Sequence, residues 1–154
     1  MTGPVFVDAN VLVYWLGTAS RSKQSRAEDW IAYLGHLRAA RISFQVLQEL
    51  YATLTRKVKP VYDAEEARAI VRDLAAWQPV AVDLAILERA WRIQERYILS
   101  WWDSPIVAAA HSCACPALLT EDLQHGQLLG QVRVIDPFAS PGLAPQEVLA
   151  SLQA

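Results

Sequence analysis

Short apolar runs alternate along this chain with longer segments in which apolar residues return every three or four positions. Val5-Phe6-Val7 is the first run, bounded by Pro4 and Asp8, and reads as a short buried strand. Asn10 to Leu16 reads as a short helix that Gly17 ends. Thr18 to Ser25 is polar and basic and is expected to be a loop. Trp30, Ile31, Leu34 and Leu37 then predict a helix over Ala27–Leu37. Arg41–Phe44 is a second strand. Gln45–Val58 is the clearest helix, with Val46, Leu47, Leu50, Leu54 and Val58 on one stripe. Its end carries Arg56, Lys57 and Lys59, cations that suit a helix C-terminus, and Pro60 follows.

A further amphipathic helix is expected over Asp63–Trp77, with Asp63 as N-cap, then a strand at Pro79–Val82 and a helix from Asp83 to about Leu99. Pro105 fits best at the first position of a helix over Ile106–Ser112, with Ser104 as its cap. Strands follow at Pro116–Thr120 and Val132–Ile135, and a short helix from Pro145. Strands alternating with helices predict an α/β fold whose sheet is mainly parallel and covered on both faces. No repeat, low-complexity stretch or linker divides the chain. The expected organisation is one domain over residues 1–138, with 139–154 as a C-terminal tail, part of that domain or loosely attached.

Composition narrows the function. A 154-residue chain that is 53% hydrophobic can bury a full core. Its formal net charge of -2 argues against nucleic-acid binding by bulk charge alone. It still allows a nuclease, because acidic metal ligands offset basic patches in the sum. The two cysteines, Cys113 and Cys115, stand one residue apart, where a disulfide would be strained and would close almost no loop. A reducing, cytoplasmic setting is the natural expectation. No signal-peptide pattern and no apolar run of membrane-spanning length occurs.

Four acids carry the candidate chemistry. Asp8 ends the first strand, Glu49 lies about a turn into the helix after the second, Asp103 stands at a helix start, and Asp122 follows the Pro116–Thr120 strand. In a parallel sheet the strand ends point one way, so these positions face one rim. Each acid has an everyday explanation. Asp8 and Asp103 suit helix caps, Asp122 suits a turn, and Glu49 suits a solvated helix side. Four carboxylates on one rim would repel unless neutralised, and hard divalent cations with oxygen ligands do this. His111-Ser112-Cys113-Ala114-Cys115 lacks the paired spacing of a zinc site. No phosphate-binding glycine loop and no nucleophile elbow occurs.

Val7-Asp8-Ala9-Asn10, Ser43 with Gln48-Glu49-Leu50-Tyr51, Asp103-Ser104-Pro105-Ile106-Val107-Ala108-Ala109-Ala110 and Leu119-Thr120-Glu121-Asp122-Leu123-Gln124-His125-Gly126 occur in an order that resembles the PIN domain. The closest subgroup is the VapC-like toxins of type II toxin–antitoxin pairs. The resemblance spans roughly residues 3–138. It implies a three-layer α/β/α sandwich with a mainly parallel sheet of about five strands, and a metal-dependent endoribonuclease using Mg²⁺ or Mn²⁺. By motif, Asp8, Glu49, Asp103 and Asp122 match the acidic quartet, with Asp8, Asp103 and Asp122 as metal ligands. Asn10 and Ser43 match the polar positions that support the first acid, and Thr120 matches the residue two before the last acid. Ser104-Pro105 departs from the family pattern and is expected to delay the helix and shift Asp103.

The resemblance also implies an RNA substrate, an antitoxin protein partner and a homodimer. Arg21, Lys23 and Arg26 are the first candidates for phosphate contacts; Arg56, Lys57 and Lys59 lie farther from the acids. Trp30, Trp77 and Trp91 fit helix core stripes, whereas only one of Trp101 and Trp102 can point inward. Two other functions compete. One is a phosphohydrolase with Asp8 as covalent nucleophile, although Asn10 stands where such enzymes carry a second aspartate. The other is a non-catalytic PIN-like binding module.

Overall fold

A computed structural model describes residues 3–17, 20–56 and 60–153. Among these, five strands form one sheet in the order β2-β1-β3-β5-β4. Strand β1 (Val5–Val7) pairs in parallel with β2 (Ala40–Arg41) and β3 (Ala117–Leu119), and β3 pairs in parallel with β5 (Val132–Ile135). Only β4 (Leu128–Leu129) runs antiparallel, against β5. Every residue of β1 and β3 is buried, as expected of strands covered on both faces.

Seven α-helices among the described residues flank the sheet. They are α1 (Ala9–Trp15), α2 (Arg21–Leu37), α3 (Phe44–Leu54), α4 (Ala64–Leu74), α5 (Leu84–Tyr97), α6 (Asp103–Ser112) and α7 (Pro145–Ser151). Helix α1 packs on α2 and α3, and α3 on α4. Helix α5 packs on α6, which lies on β3 and β5. Trp30, Phe6, Leu12, Leu50 and Leu118 are among the largest side chains with no exposure to solvent. In the tail, Val148 and Leu149 of α7 join this core.

Several boundaries differ from expectation, each for a local reason. Helix α2 begins at Arg21, not Ala27, because the Ser20 hydroxyl accepts from Lys23 N–H and caps it. Arg21 and Lys23 are therefore helical; Thr18 and Ala19 lie outside the described residues. Ser43 is not the end of a strand but the N-cap of α3, accepting from Val46 N–H at 3.3 Å. Helix α3 stops at Leu54, and Lys57, Val58 and Lys59 lie outside the described residues. Asp63 caps α4 through a capping box with Glu66, as expected, but the last turn to Trp77 tightens into a 3₁₀ helix. Pro79–Val82 is not a strand: only Val80 makes a bridge, to Ser43. The fifth strand is β4, a two-residue edge piece too short to show a period.

Helix α6 starts at Asp103, so Pro105 does not delay it. Proline sits in the first turn, where backbone N–H groups need no intrahelical partner. The Ser104 hydroxyl is no cap; it donates to the Ser100 carbonyl at 2.9 Å. Trp91 is 47% exposed and is not in the core, while Trp101 packs inward and Trp102 is 69% exposed. Leu118→Ala should cost about 2–5 kcal/mol, and Leu128→Ala, half exposed on the edge strand, less than about 1 kcal/mol. Urea denaturation midpoints measure both.

Candidate functional site

The register of β1 on β3 builds the centre of the site. Val7 is paired with Leu119, so the next residues, Asp8 and Thr120, emerge side by side where both strands end. Asp8 N–H still continues the ladder, donating to Leu119 O at 3.0 Å. The Asp8 side chain then turns to cap α1, where one carboxylate oxygen accepts from Ala9 N–H at 2.7 Å. Asp8 is thus the N-cap of α1. It is only 5% exposed.

Thr120, fully buried, uses its whole bonding capacity here. Its hydroxyl donates to the second Asp8 oxygen at 2.9 Å and accepts from Asn10 Nδ2 and from Asp122 N–H, each at 3.1 Å. A threonine hydroxyl offers one donor and two lone pairs, and all are engaged. Asn10 Nδ2 also donates to Asp122 at 3.0 Å and lies 3.4 Å from Asp8. Asp8, Asn10, Thr120 and Asp122 therefore form one connected unit. Ser43 is not part of it, and its hydroxyl positions α3 instead.

Glu49 reaches the same place from α3. With Asp8, Asn10, Glu121 and Asp122 it lines a cavity of about 340 Å³. Gln45, one turn earlier, donates to Glu49 at 3.0 Å and to Trp102 O at 2.9 Å, tying α3 to the residue before α6. Asp103 does not line the cavity; Ser100 donates to its carboxylate at 2.8 Å. Gln45 and Ser100 belong to no motif legible in the sequence. Their only signal is spacing, Gln45 four before Glu49 and Ser100 three before Asp103.

The electrostatics join all four acids. Burial pushes the Asp8 carboxyl up to about 7, against the hydrogen bonds from Thr120 and Ala9, and the charges of Glu49 and Asp122 raise it further. Burial likewise raises Glu49, aided by Asp103 and Asp122, and raises Asp103, aided by Asp122. Every charge acting on these three carboxyls is thus another carboxylate, a donor set that calls for a cation. Among the described residues, no three acidic, histidine or cysteine side chains are gathered tightly enough to hold an ion by themselves.

The basic candidates separate. Lys23 stands at the edge of the cavity, 2.7 Å from Glu121 and 4.8 Å above the Tyr14 ring. Arg21 is exposed at the start of α2. Arg26 does not face solvent: it is buried, and its guanidinium donates to Pro137 O at 2.7 Å and Ser140 O at 2.9 Å. It anchors the tail segment to α2, which corrects the expectation that it contacts RNA. His125 accepts from Asp136 N–H through Nδ1 at 3.1 Å and so holds the end of β5.

A parallel sheet with acids gathered at its carboxyl rim defines a class of α/β domain whose site lies beyond the strand ends. The family model for the PIN domain matches residues 5–128, and the chain belongs to the PIN domain family. No curated protein matches the chain. Among solved structures it is similar to DNA-bound VapBC from Salmonella typhimurium, with a TM-score of 0.63 and 15% identity over 88% of this chain and 99% of that one. It is also similar to VapBC2 from Rickettsia felis bound to a promoter DNA fragment, with a TM-score of 0.59 and 16% identity over 84% and 96%. A third is VapC20 from Mycobacterium tuberculosis, a sarcin–ricin loop cleaving toxin, with a TM-score of 0.57 and 16% identity over 74% and 86%. Among the described residues no helix is long and apolar enough to cross a membrane.

The raised Asp8 carboxyl predicts a pH dependence in the metal-free protein. Its proton is held more tightly folded than unfolded, so stability falls as pH rises from about 4 to about 7. The loss attributable to Asp8 is on the order of 4 kcal/mol. In chelator, Asp8→Asn should flatten this slope and be the more stable form at pH 8, as read by urea denaturation across pH.

Proposed function

We propose that this protein is a metal-dependent endoribonuclease and the toxin member of a toxin–antitoxin pair. One observation carries the reading most. A buried carboxyl, Asp8, is bonded through Thr120 and Asn10 to a second, exposed carboxylate, Asp122, at the rim of a cavity that Glu49 also lines. In this reading Asp8 and Asp122 would hold a Mg²⁺ or Mn²⁺ ion, with waters and substrate phosphate completing its shell, while Asp103 stays with Ser100 and adds negative charge at the rim. When bound, such an ion acts as a Lewis acid on the phosphoryl group and eases deprotonation of water.

The remaining steps belong to the chain. Thr120 fixes which Asp8 oxygen faces the cavity. Asn10 keeps Asp122 turned toward Asp8. Glu49, held by Gln45 and with its carboxyl raised, orients the attacking water and accepts its proton. Lys23, held beside Glu121, lies where the RNA backbone would pass. Covalent attack by Asp8 fits less well, since both its oxygens are engaged by Ala9 and Thr120.

The similar VapBC structures support an antitoxin protein as partner. Exposed Phe44 and Trp102 supply apolar surface for a homodimer. Purified protein should cleave single-stranded RNA with Mg²⁺ or Mn²⁺ and stop in chelator. Asp8→Ala and Asp122→Ala should each reduce the rate at least about 100-fold while keeping a cooperative unfolding transition. Full cleavage by both folded variants would sink the proposal. Growth arrest on expression, relieved by Asp8→Asn, would establish the toxin role.

A further inference from the structure

Helix α5 carries a second chemical feature away from the acidic rim. Arg89, Arg92 and Arg96 recur at spacings of three and four, so they share one face of the helix. All three line one open cavity of about 300 Å³, together with Tyr97, His111 and Gly130. Among the described residues none of the three guanidinium groups is paired with a carboxylate. Glu88 and Glu95, on the same helix, do not line the cavity. The Arg96 guanidinium lies over the Tyr97 ring, 5.3 Å from its centroid.

The floor of the cavity is built to stay in place. His111 Nε2 bonds to Leu129 O at 2.9 Å, and Gly130 N–H donates to the Tyr97 hydroxyl at 2.7 Å. Gly130 has φ +65°, and a Cβ there would meet the His111 ring at 2.7 Å, so only glycine lets the β4–β5 turn close against α6. Burial lowers the His111 pKa against the hydrogen bond to Leu129, and the Arg89 charge lowers it further.

We propose that this arginine face of α5 binds the phosphodiester backbone of RNA, extending the contact surface beyond the acidic site. Three exposed guanidiniums on one helix face, with no carboxylate partner among the described residues, can take an anion, and Arg matches phosphate with a two-pronged donor set. From Arg89 to Arg96 the row spans roughly 10 Å along the helix. That is the rise of about three nucleotides at 3.4 Å each in a stacked strand. Tyr97, half-buried at the end of the row with Arg96 over one face of its ring, adds an aromatic side chain beside the guanidiniums, the pairing of cation and ring that single-stranded nucleic acid uses. Single-stranded RNA satisfies both features, whereas an acidic peptide satisfies only the charge. Asp103 and His111 stand near opposite ends of α6, about 12 Å apart along its axis. The choice of RNA rests on the ribonuclease reading; the anion groove itself does not.

The test is fluorescence anisotropy with a labelled single-stranded oligouridylate in chelator, where no cleavage occurs. The triple change Arg89→Ala, Arg92→Ala, Arg96→Ala should weaken binding at least about 10-fold and flatten the log–log salt dependence by about 2, some 0.7 for each phosphate no longer neutralised. Arg92→Glu alone repeats the test with one exposed side chain. Arg68→Ala with Arg72→Ala on α4 should leave affinity within about twofold. Unchanged affinity in the α5 variants, or equal weakening in the α4 control, would overturn the proposal. So would tighter, α5-dependent binding of polyglutamate, which would mark an acidic protein surface instead. If α5-dependent RNA binding is found in a protein that cleaves no RNA with metal present, the groove stands and the ribonuclease reading falls.

Discussion

The Thr120 hydroxyl is the bond on which this site depends. It stands where two parallel strands end together, fully buried, with its donor and both lone pairs in use. Without it, Asp8 would keep only its backbone bond from Ala9 and a long contact from Asn10, deeply desolvated and facing other carboxylates. An unsatisfied buried carboxylate is among the costliest groups a fold can carry. The strands of the sheet are short, but the pairing of Val7 with Leu119 fixes that the two side chains meet.

This arrangement sets stability against function. Lone hydrogen bonds hold Asp8 in place, yet burial and the surrounding acids resist its ionisation. The metal-free protein thus gathers mutually repelling acids at the rim, a repulsion that a bound divalent cation would relieve. Gln45 extends the same logic outward. Its amide binds Glu49 and the Trp102 carbonyl together, coupling α3, which carries Glu49, to the start of α6, which carries Asp103.

Much of this is legible in the chain. Val5–Val7, the apolar run before Thr120 and Val132–Ile135 are strands as their composition predicts, and Asp63 and Asp83 cap their helices. The misses share a cause, which is that the deciding partner lies outside the local pattern. The first turn of α2 shows no apolar period, so nothing marks Ser20 as its cap. Arg26 reads as surface until Pro137 and Ser140 supply carbonyls from more than a hundred residues away. Pro79–Val82 has strand composition, but only Val80 finds a bridging partner, in Ser43. The acids themselves are visible in the sequence, and so is their shared rim. Asp103 lying outside the cavity, and Gln45 bridging α3 to the start of α6, emerge only from packing.

The central claim is that Asp8 and Asp122, joined through Thr120 and Asn10, form a site for a divalent cation. Calorimetric titration of the purified protein with Mn²⁺ tests it most directly. The account predicts saturable binding to the wild-type chain that is lost in Asp8→Asn and in Asp122→Asn, both still folded by circular dichroism. Binding of equal affinity in both variants, or none to the wild-type chain at millimolar Mn²⁺, would contradict it.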